Sequence, residues 1–383
     1  MFSQKSQLKF NIVLVIDTLG VGGAESQLAM LAVELHKRGY HCEVFALRAE
    51  GAFLAILESL GIPVSNGKFS KKKDRLAFLR GVWNLWRSIY RNRPCVVHTY
   101  LPLSNFIGSI TARLAGASVV ITSRRALGMH QEMESRWKYF DRISNSLSNM
   151  ISVNSKVVGN DTIRRDGVDS NKLVCIYNGV DLSRFNFPSE MRESMRFKLG
   201  VSTSDFAWVK VANLANRKGH VSLLQAFSEI TNNYKVRLFL VGFDHGIQPS
   251  LETLTANLGI ADRVAFLGGR SDVPEILSAM DGYVAASDNE GFSNAILEAM
   301  ASGLPIVATN VGGNAEALQE GKIGIVVDPR DPAALSSAMK KIMDNQGLRQ
   351  KFSAAGEHSA REKYSVDAMV SSYLELYRRE LER

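Results

Sequence analysis

Cysteine is scarce in this chain: Cys42, Cys95 and Cys175 are the whole complement in 383 residues. They are odd in number, far apart and each falls in an expected strand, so neither a disulfide framework nor a thiolate metal site is indicated, and a reducing compartment suits them. No apolar run approaches the length of a bilayer span. The run from Phe10 to Ile16 follows Lys5 and Lys9 but ends at once in Asp17. It is too short for a signal h-region and has no small-residue cleavage site, so a strand is expected there. Short repeats and low-complexity tracts are absent as well. Acidic residues are in deficit, 38 against 46 basic ones, which leaves a formal charge of +8. That excess attracts anions, and charge alone admits nucleic acid, anionic lipid or a phosphorylated substrate.

What is present is a regular alternation. A chain of this length holds two or three domains. Expected strands at 10–16, 42–47, 62–65, 95–98, 119–122, 150–153 and 173–177 alternate with helical stretches, among them a long one at about 74–91. A second series follows at 207–212, 236–241, 264–267, 282–286, 306–308 and 325–327. Repeated strand–helix units make parallel sheets covered by helices on both faces, so the fold class is α/β with two successive doubly wound domains. The pattern breaks in 181–189, where Asn186-Phe187-Pro188-Ser189 starts a new helix. The expected division is therefore 1–185 and 186–365. A last helix over 366–383 carries Ala368, Met369, Tyr373, Leu376 and Tyr377 on one face.

The chemistry concentrates between Ser287 and Ala301. A short apolar strand is followed by a permissive Gly291, and then by a helix capped at Ser293 or Asn294. A strand, a glycine turn and a helix N-terminus form an anion site, because backbone N–H groups and the helix dipole point at the turn. Glu290 and Glu298 bracket that site. Carboxylates accept hydrogen bonds and sugar hydroxyls donate them, so the combination calls for a diphosphate flanked by polyols, as in a nucleotide sugar. No Asp-x-Asp pair occurs to hold such a diphosphate through a metal.

Glu290-Gly291-Phe292, with Glu298 after seven intervening residues, resembles the E-x7-E signature of retaining glycosyltransferases with the two-Rossmann GT-B architecture, family 4 in particular. Several further stretches resemble the same family in order along the chain. Gly22-Gly23-Ala24-Glu25 is similar to its glycine loop, and its final Glu departs from the dinucleotide fingerprint of an oxidoreductase. Asn178-Gly179-Val180-Asp181 resembles the hinge turn, and Asn216-Arg217-Lys218-Gly219 the segment that grips the diphosphate. The resemblance implies two domains facing across a cleft, with the acceptor on the first and the donor on the second. It implies Glu290 at the donor sugar, Glu298 at the ribose, and Arg217 and Lys218 at the diphosphate. Gly22, Gly23, Gly291, Phe292, Ser293, Asn294 and Ala295 would border the donor, and Arg270 the base. In this account a donor phosphate oxygen takes the acceptor's proton, so no enzyme nucleophile is required. The last helix would cross back onto the first domain.

The chain also departs from that pattern. Many relatives carry a histidine two residues after the threonine of Ile121-Thr122-Ser123, and Arg124 stands there instead. It is a fixed cation suited to a phosphate or carboxylate. His98, at a strand end, and His130, in a following loop, are the other acceptor-side candidates. Between Lys68 and Arg93, nine basic residues are opposed by Asp74 alone. Leu76, Leu79, Trp83, Trp86 and Tyr90 follow helical spacing there and are expected to pack on the sheet. Lys68, Lys71, Lys72 and Lys73 beside Phe69 suit an anionic membrane surface. Nucleic acid would suit the charge, but no nucleic-acid motif is visible.

The expectation is a cytoplasmic enzyme, peripheral on the inner face of a membrane. It takes a UDP-sugar ahead of a GDP-sugar, serves a lipid-linked or cell-envelope glycan, and uses no cofactor or metal. The alternatives are a nucleotide-sugar hydrolase or epimerase on the same fold, and a non-catalytic nucleotide-sugar-binding protein.

Overall fold

The structure, a computed structural model, describes residues 10–70 and 74–383. Its strands are β1 (Asn11–Ile16), β2 (Cys42–Ala46), β3 (Val64–Asn66), β4 (Cys95–Tyr100), β5 (Val119–Arg124), β6 (Met150–Val153) and β7 (Leu173–Cys175) in one sheet. β8 (Phe206–Val211), β9 (Val236–Val241), β10 (Val264–Gly268), β11 (Gly282–Ala285), β12 (Ile306–Thr309) and β13 (Ile325–Val327) make the other. The first sheet runs β3-β2-β1-β4-β5-β6-β7 and the second β10-β9-β8-β11-β12-β13. Every pairing between these strands is parallel. β2, β4 and β5 are buried along their whole length, as strands covered on both faces must be. Each sheet starts in the middle, grows to one side and then returns to the other. The strand order therefore reverses between β1 and β4 and between β8 and β11, which opens a ligand crevice at the carboxyl ends of those strands.

The chain divides into one unit of Met1–Gly179 with Val366–Arg383 and another of Val180–Ser365. The crossing at Gly179–Val180 precedes the break expected at 185/186. Val180 N donates to Tyr364 O (2.7 Å) and pairs with Ser365, so the chain already belongs to the second unit before the Phe187-Pro188 interruption. The last helix, Val366–Leu381, joins the first unit. Met369, Val370, Tyr373 and Tyr377 enter a core that holds Leu28, Leu31 and Leu35 of the helix Gly23–Lys37. The second unit has its own core around Trp208, Phe227, Leu238, Leu240, Val284 and Val307.

One expected face is reversed. In the helix Arg75–Arg91 the buried side is Gly81, Leu85, Ser88 and Ile89. Leu76, Leu79 and Trp83 are 67%, 62% and 60% exposed, Tyr90 is exposed, and Trp86 is half-buried. The reason is polar. Glu43, buried in β2, takes hydrogen bonds from Ser88 Oγ and Asn92 Nδ2, each at 2.7 Å, and a buried carboxylate left without them would be costly. Gly81 also lies so close to the Phe69 ring that a Cβ would strike it. Phe69 is itself buried rather than part of a surface cluster. Lys68 is exposed, and Lys71, Lys72 and Lys73 lie outside the described residues.

Candidate active site

The second unit's crevice is built by the loops after β8 and β11. Gly219 turns the first loop at φ 63°, where a Cβ would collide with the carbonyl oxygen of Ala286. Only glycine lets the two loops approach this closely. Asp288 N donates to Arg217 O (2.9 Å) and fastens the contact. The β11 loop is held from its other side as well. Thr309 Oγ1 donates to Ser287 O (2.6 Å), Gly313 N donates to Gly291 O (2.8 Å), and a Cβ on Gly312 would strike the Glu290 carbonyl oxygen.

This scaffold brings Lys218 Nζ to 2.6 Å from Glu290 Oε1, with side chains 18% and 16% exposed. Ser287 Oγ donates to the same oxygen at 2.8 Å. Arg217 is exposed, and among the described residues its guanidinium has no ion-pair partner. The helix Asn294–Ala301 starts at Ser293, and no side chain caps it, so its N-terminal dipole faces the same loop. Phe292 is buried against Tyr364. Glu298 lies one turn into that helix and half-buried; burial raises its pKa to about 7, with Arg184 opposing the shift. Its ionised form is acceptor-only and is the stronger acceptor for hydroxyl hydrogens. Arg270 forms a bidentate pair with Asp272 at 2.7 and 2.6 Å, at the start of the loop after β10.

Two ionisable groups beneath this site escaped the sequence reading. Lys210, in β8, is 1% exposed. Burial first, and the Lys218 charge second, bring its pKa down to about 7, while Glu290 and Asp288 pull the other way. The only sequence signal for it is one lysine inside the apolar strand Trp208-Val209-Lys210-Val211. His220 is buried with Nε2 3.1 Å from Asn213 O. Desolvation, with Lys210 adding to it, lowers its pKa to about 3, so it is neutral at physiological pH.

In the first unit, Gly22 precedes the helix Gly23–Lys37 and lies so close to the Glu25 carboxylate that a Cβ would strike it. Burial raises the pKa of Glu25 and of neighbouring Asp17, and Asp17 accepts from Ser104 N (3.0 Å) and Ser104 Oγ. The acceptor-side candidates His98, Arg124 and His130 all lie in the first unit. His98 is wholly buried, with Nδ1 2.7 Å from Tyr377 Oη and Nε2 2.7 Å from Ser123 Oγ. Desolvation, aided by Arg125, holds its pKa well below the usual histidine value. With both nitrogens engaged, it joins the last helix to the sheet and presents no group to a substrate. Arg124 is buried too, and its cation is already matched by Asp141 at 2.9 Å, with Asp166 at 4.0 Å and Asn145 at 2.7 Å. Asp141 also takes His130 Nε2 at 2.6 Å, which leaves His130 partly exposed at the edge of one network with Arg124.

Residues 21–184 match Glycosyltransferase Family 4, and residues 191–359 match Glycosyl transferases group 1. D-inositol 3-phosphate glycosyltransferase of Corynebacterium diphtheriae is 28% identical over 369 residues, which covers 88% of this chain and 86% of that protein. UDP-Gal:alpha-D-GlcNAc-diphosphoundecaprenol alpha-1,3-galactosyltransferase of Escherichia coli is 24% identical over 278 residues, covering 70% of this chain and 72% of that one. The crystal structure of Anabaena HepE in complex with UDP has a TM-score of 0.85 at 23% identity, covering 96% of this chain and 99% of that chain. That is a likeness of fold. With the two matched stretches lying in two consecutive doubly wound units, the chain belongs to the GT-B glycosyltransferases, enzymes of sugar transfer.

Proposed function

We propose that this protein transfers a sugar from a UDP-linked donor, ahead of a GDP-linked one, to a hydroxyl of a lipid-carried or cell-envelope glycan, with retention of anomeric configuration. The observation that carries this reading is the Lys218–Glu290 pair at the strand-order reversal of the second sheet, beside the Arg217 guanidinium and the N-terminus of the helix Asn294–Ala301. Donor binding would draw Lys218 towards the diphosphate and free Glu290 for the sugar hydroxyls. Lys218, Arg217 and the helix dipole then stabilise the leaving diphosphate as its charge develops. Glu298, once ionised, accepts from the ribose. A UDP donor is supported by the Anabaena structure solved with UDP and by the donor in the Escherichia coli enzyme's name. The diphosphoundecaprenol in that same name supports a lipid carrier. No cofactor or metal is required in this account, since the cations that meet the diphosphate are side chains. Lys68, Lys71, Lys72 and Lys73 are assigned to an anionic membrane surface, and the cytoplasmic face of a membrane is where both substrates would meet.

The test is thermal stabilisation by a panel of nucleotides and nucleotide sugars, since a ligand bound only by the folded state raises stability by mass action. UDP-sugars should raise the melting temperature most. Equal shifts with unrelated anions would overturn the donor assignment. Rapid release of free sugar from the donor without any acceptor would instead favour a hydrolase.

A further inference from the structure

The outward side of the helix Arg75–Arg91 carries a continuous aromatic ladder. Trp83 and Trp86 stack at 4.9 Å between ring centroids, and Trp86 and Tyr90 stack at 4.9 Å. Leu76 and Leu79 extend the ladder towards the helix start, each more than three-fifths exposed. Trp86 Nε1 donates to Leu114 O (3.4 Å), and Leu114, itself 74% exposed, widens the apolar surface. Scattered exposed apolar residues are ordinary, but a contiguous ladder of this kind marks a surface that is covered in use.

The charges beside it say what covers it. The helix holds Arg75, Arg80, Arg87 and Arg91 and no Asp or Glu. Arg80, Arg87 and Arg91 are spaced by whole turns and line one flank of the ladder. Arg93 lies over the Tyr90 ring at 3.8 Å from its centroid. A second copy of the chain would set these arginines against one another with no acidic residue on the helix to answer them. A bilayer with anionic headgroups answers both features. Trp and Tyr rings settle at the headgroup level, leucines reach the acyl boundary, and each cation near the surface adds about 1 kcal/mol.

We propose that the Leu76–Leu79–Trp83–Trp86–Tyr90 face of this helix is an interfacial membrane-docking surface that inserts into an anionic bilayer with its arginine flank at the phosphates. This deepens the reading of a lipid-carried acceptor and rests on it for the use made of docking, while its test requires no acceptor. It also differs from the lysine cluster before the helix, since it assigns binding to inserted aromatic and aliphatic side chains as well as to charge.

The test is vesicle flotation of the full chain with liposomes of phosphatidylcholine and phosphatidylglycerol in equal parts, and with phosphatidylcholine alone. Three proteins are compared: wild type, Leu79→Ser with Trp83→Ser, and Arg80→Gln with Arg87→Gln and Arg91→Gln. All the altered side chains are exposed, so both variants should keep the wild-type melting temperature. Wild type should float with the anionic vesicles, and its tryptophan emission should shift to the blue. The serine variant should bind at least about tenfold more weakly. The glutamine variant should lose about a hundredfold, the sum of three surface cations. Flotation of the variants equal to wild type, or equal flotation of wild type with the neutral vesicles, overturns the proposal. So does a concentration-dependent dimer that the serine variant abolishes without any vesicle binding, because a second copy would then cover the face. Flotation as expected, with no transfer to any lipid-linked glycan, leaves the docking face standing and removes the acceptor reading alone.

Discussion

Lys218 Nζ and Glu290 Oε1 lie 2.6 Å apart across loops that follow two different strands. Each is the other's partner, so the site keeps its charges neutralised without leaving either group bare. A diphosphate offers Lys218 more negative charge than one carboxylate does, and sugar hydroxyls offer Glu290 donors. Under the proposed function, donor binding would be an exchange of partners rather than the creation of buried charge, which would avoid the desolvation cost that burying an unpaired ion carries.

Lys218→Ala and Arg217→Ala should each lower turnover by about a hundredfold, since removal of one group that stabilises developing charge costs a few kcal/mol. Steady-state release of nucleoside diphosphate in the presence of acceptor measures this. Near-normal turnover in both variants would remove them from the diphosphate.

Glu298 predicts a pH signature. Its pKa is raised to about 7, and the ionised carboxylate is the stronger acceptor, so in the proposed ribose role its contribution to nucleotide affinity should grow as pH rises from about 6 to 8. Glu298→Gln should weaken nucleotide binding and abolish that contribution. Calorimetric titration of both proteins with UDP across this range isolates the residue, because every other titrating group is common to the two. Parallel pH profiles would place Glu298 away from the ribose.

Lys210 makes the opposite kind of prediction, one about stability. Its folded pKa, about 7, lies below the ordinary lysine value of 10.5. Above pH 7 the unfolded chain holds a proton that the folded chain has lost, so stability should rise with pH until the unfolded lysine titrates. Lys210→Met should therefore stabilise the protein, on the order of a few kcal/mol at or below neutrality, with the gain shrinking towards pH 10. Urea unfolding of both proteins at several pH values measures the difference. A destabilised methionine variant at pH 7 would mean that the ammonium is needed where it lies.

Gly219→Ala should be severe for a position that is not itself charged. The residue sits at φ 63° and a Cβ there would meet the Ala286 carbonyl. Backbone strain costs about 1 to 3 kcal/mol, and the collision adds to it. Stability should fall, and the loops that carry Lys218 and Glu290 should part, lowering turnover as well. An unchanged melting temperature would show that the loops can separate without penalty.

The alternation of strands and helices, the two successive sheets and the loops at their carboxyl ends were legible in the chain itself. Periodicity and turn chemistry are set by residues a few places apart, and the motif at Glu290 to Glu298 lies within one loop and one helix. Tertiary structure alone decided the partners. Lys218 meets Glu290 across 72 residues and His98 meets Tyr377 across 279, distances over which a single sequence carries no pairing signal. Arg124 reads as an open cation until Asp141 and Asp166 are seen to neutralise it. Lys210 reads as an oddity in a strand until burial and Lys218 perturb it. The helix Arg75–Arg91 shows the limit most plainly. It offers two faces at helical spacing, and the larger apolar one looked like the core side. Buried Glu43 required Ser88 and Asn92 as hydrogen-bond donors, and satisfying that one carboxylate turned the aromatic ladder outward.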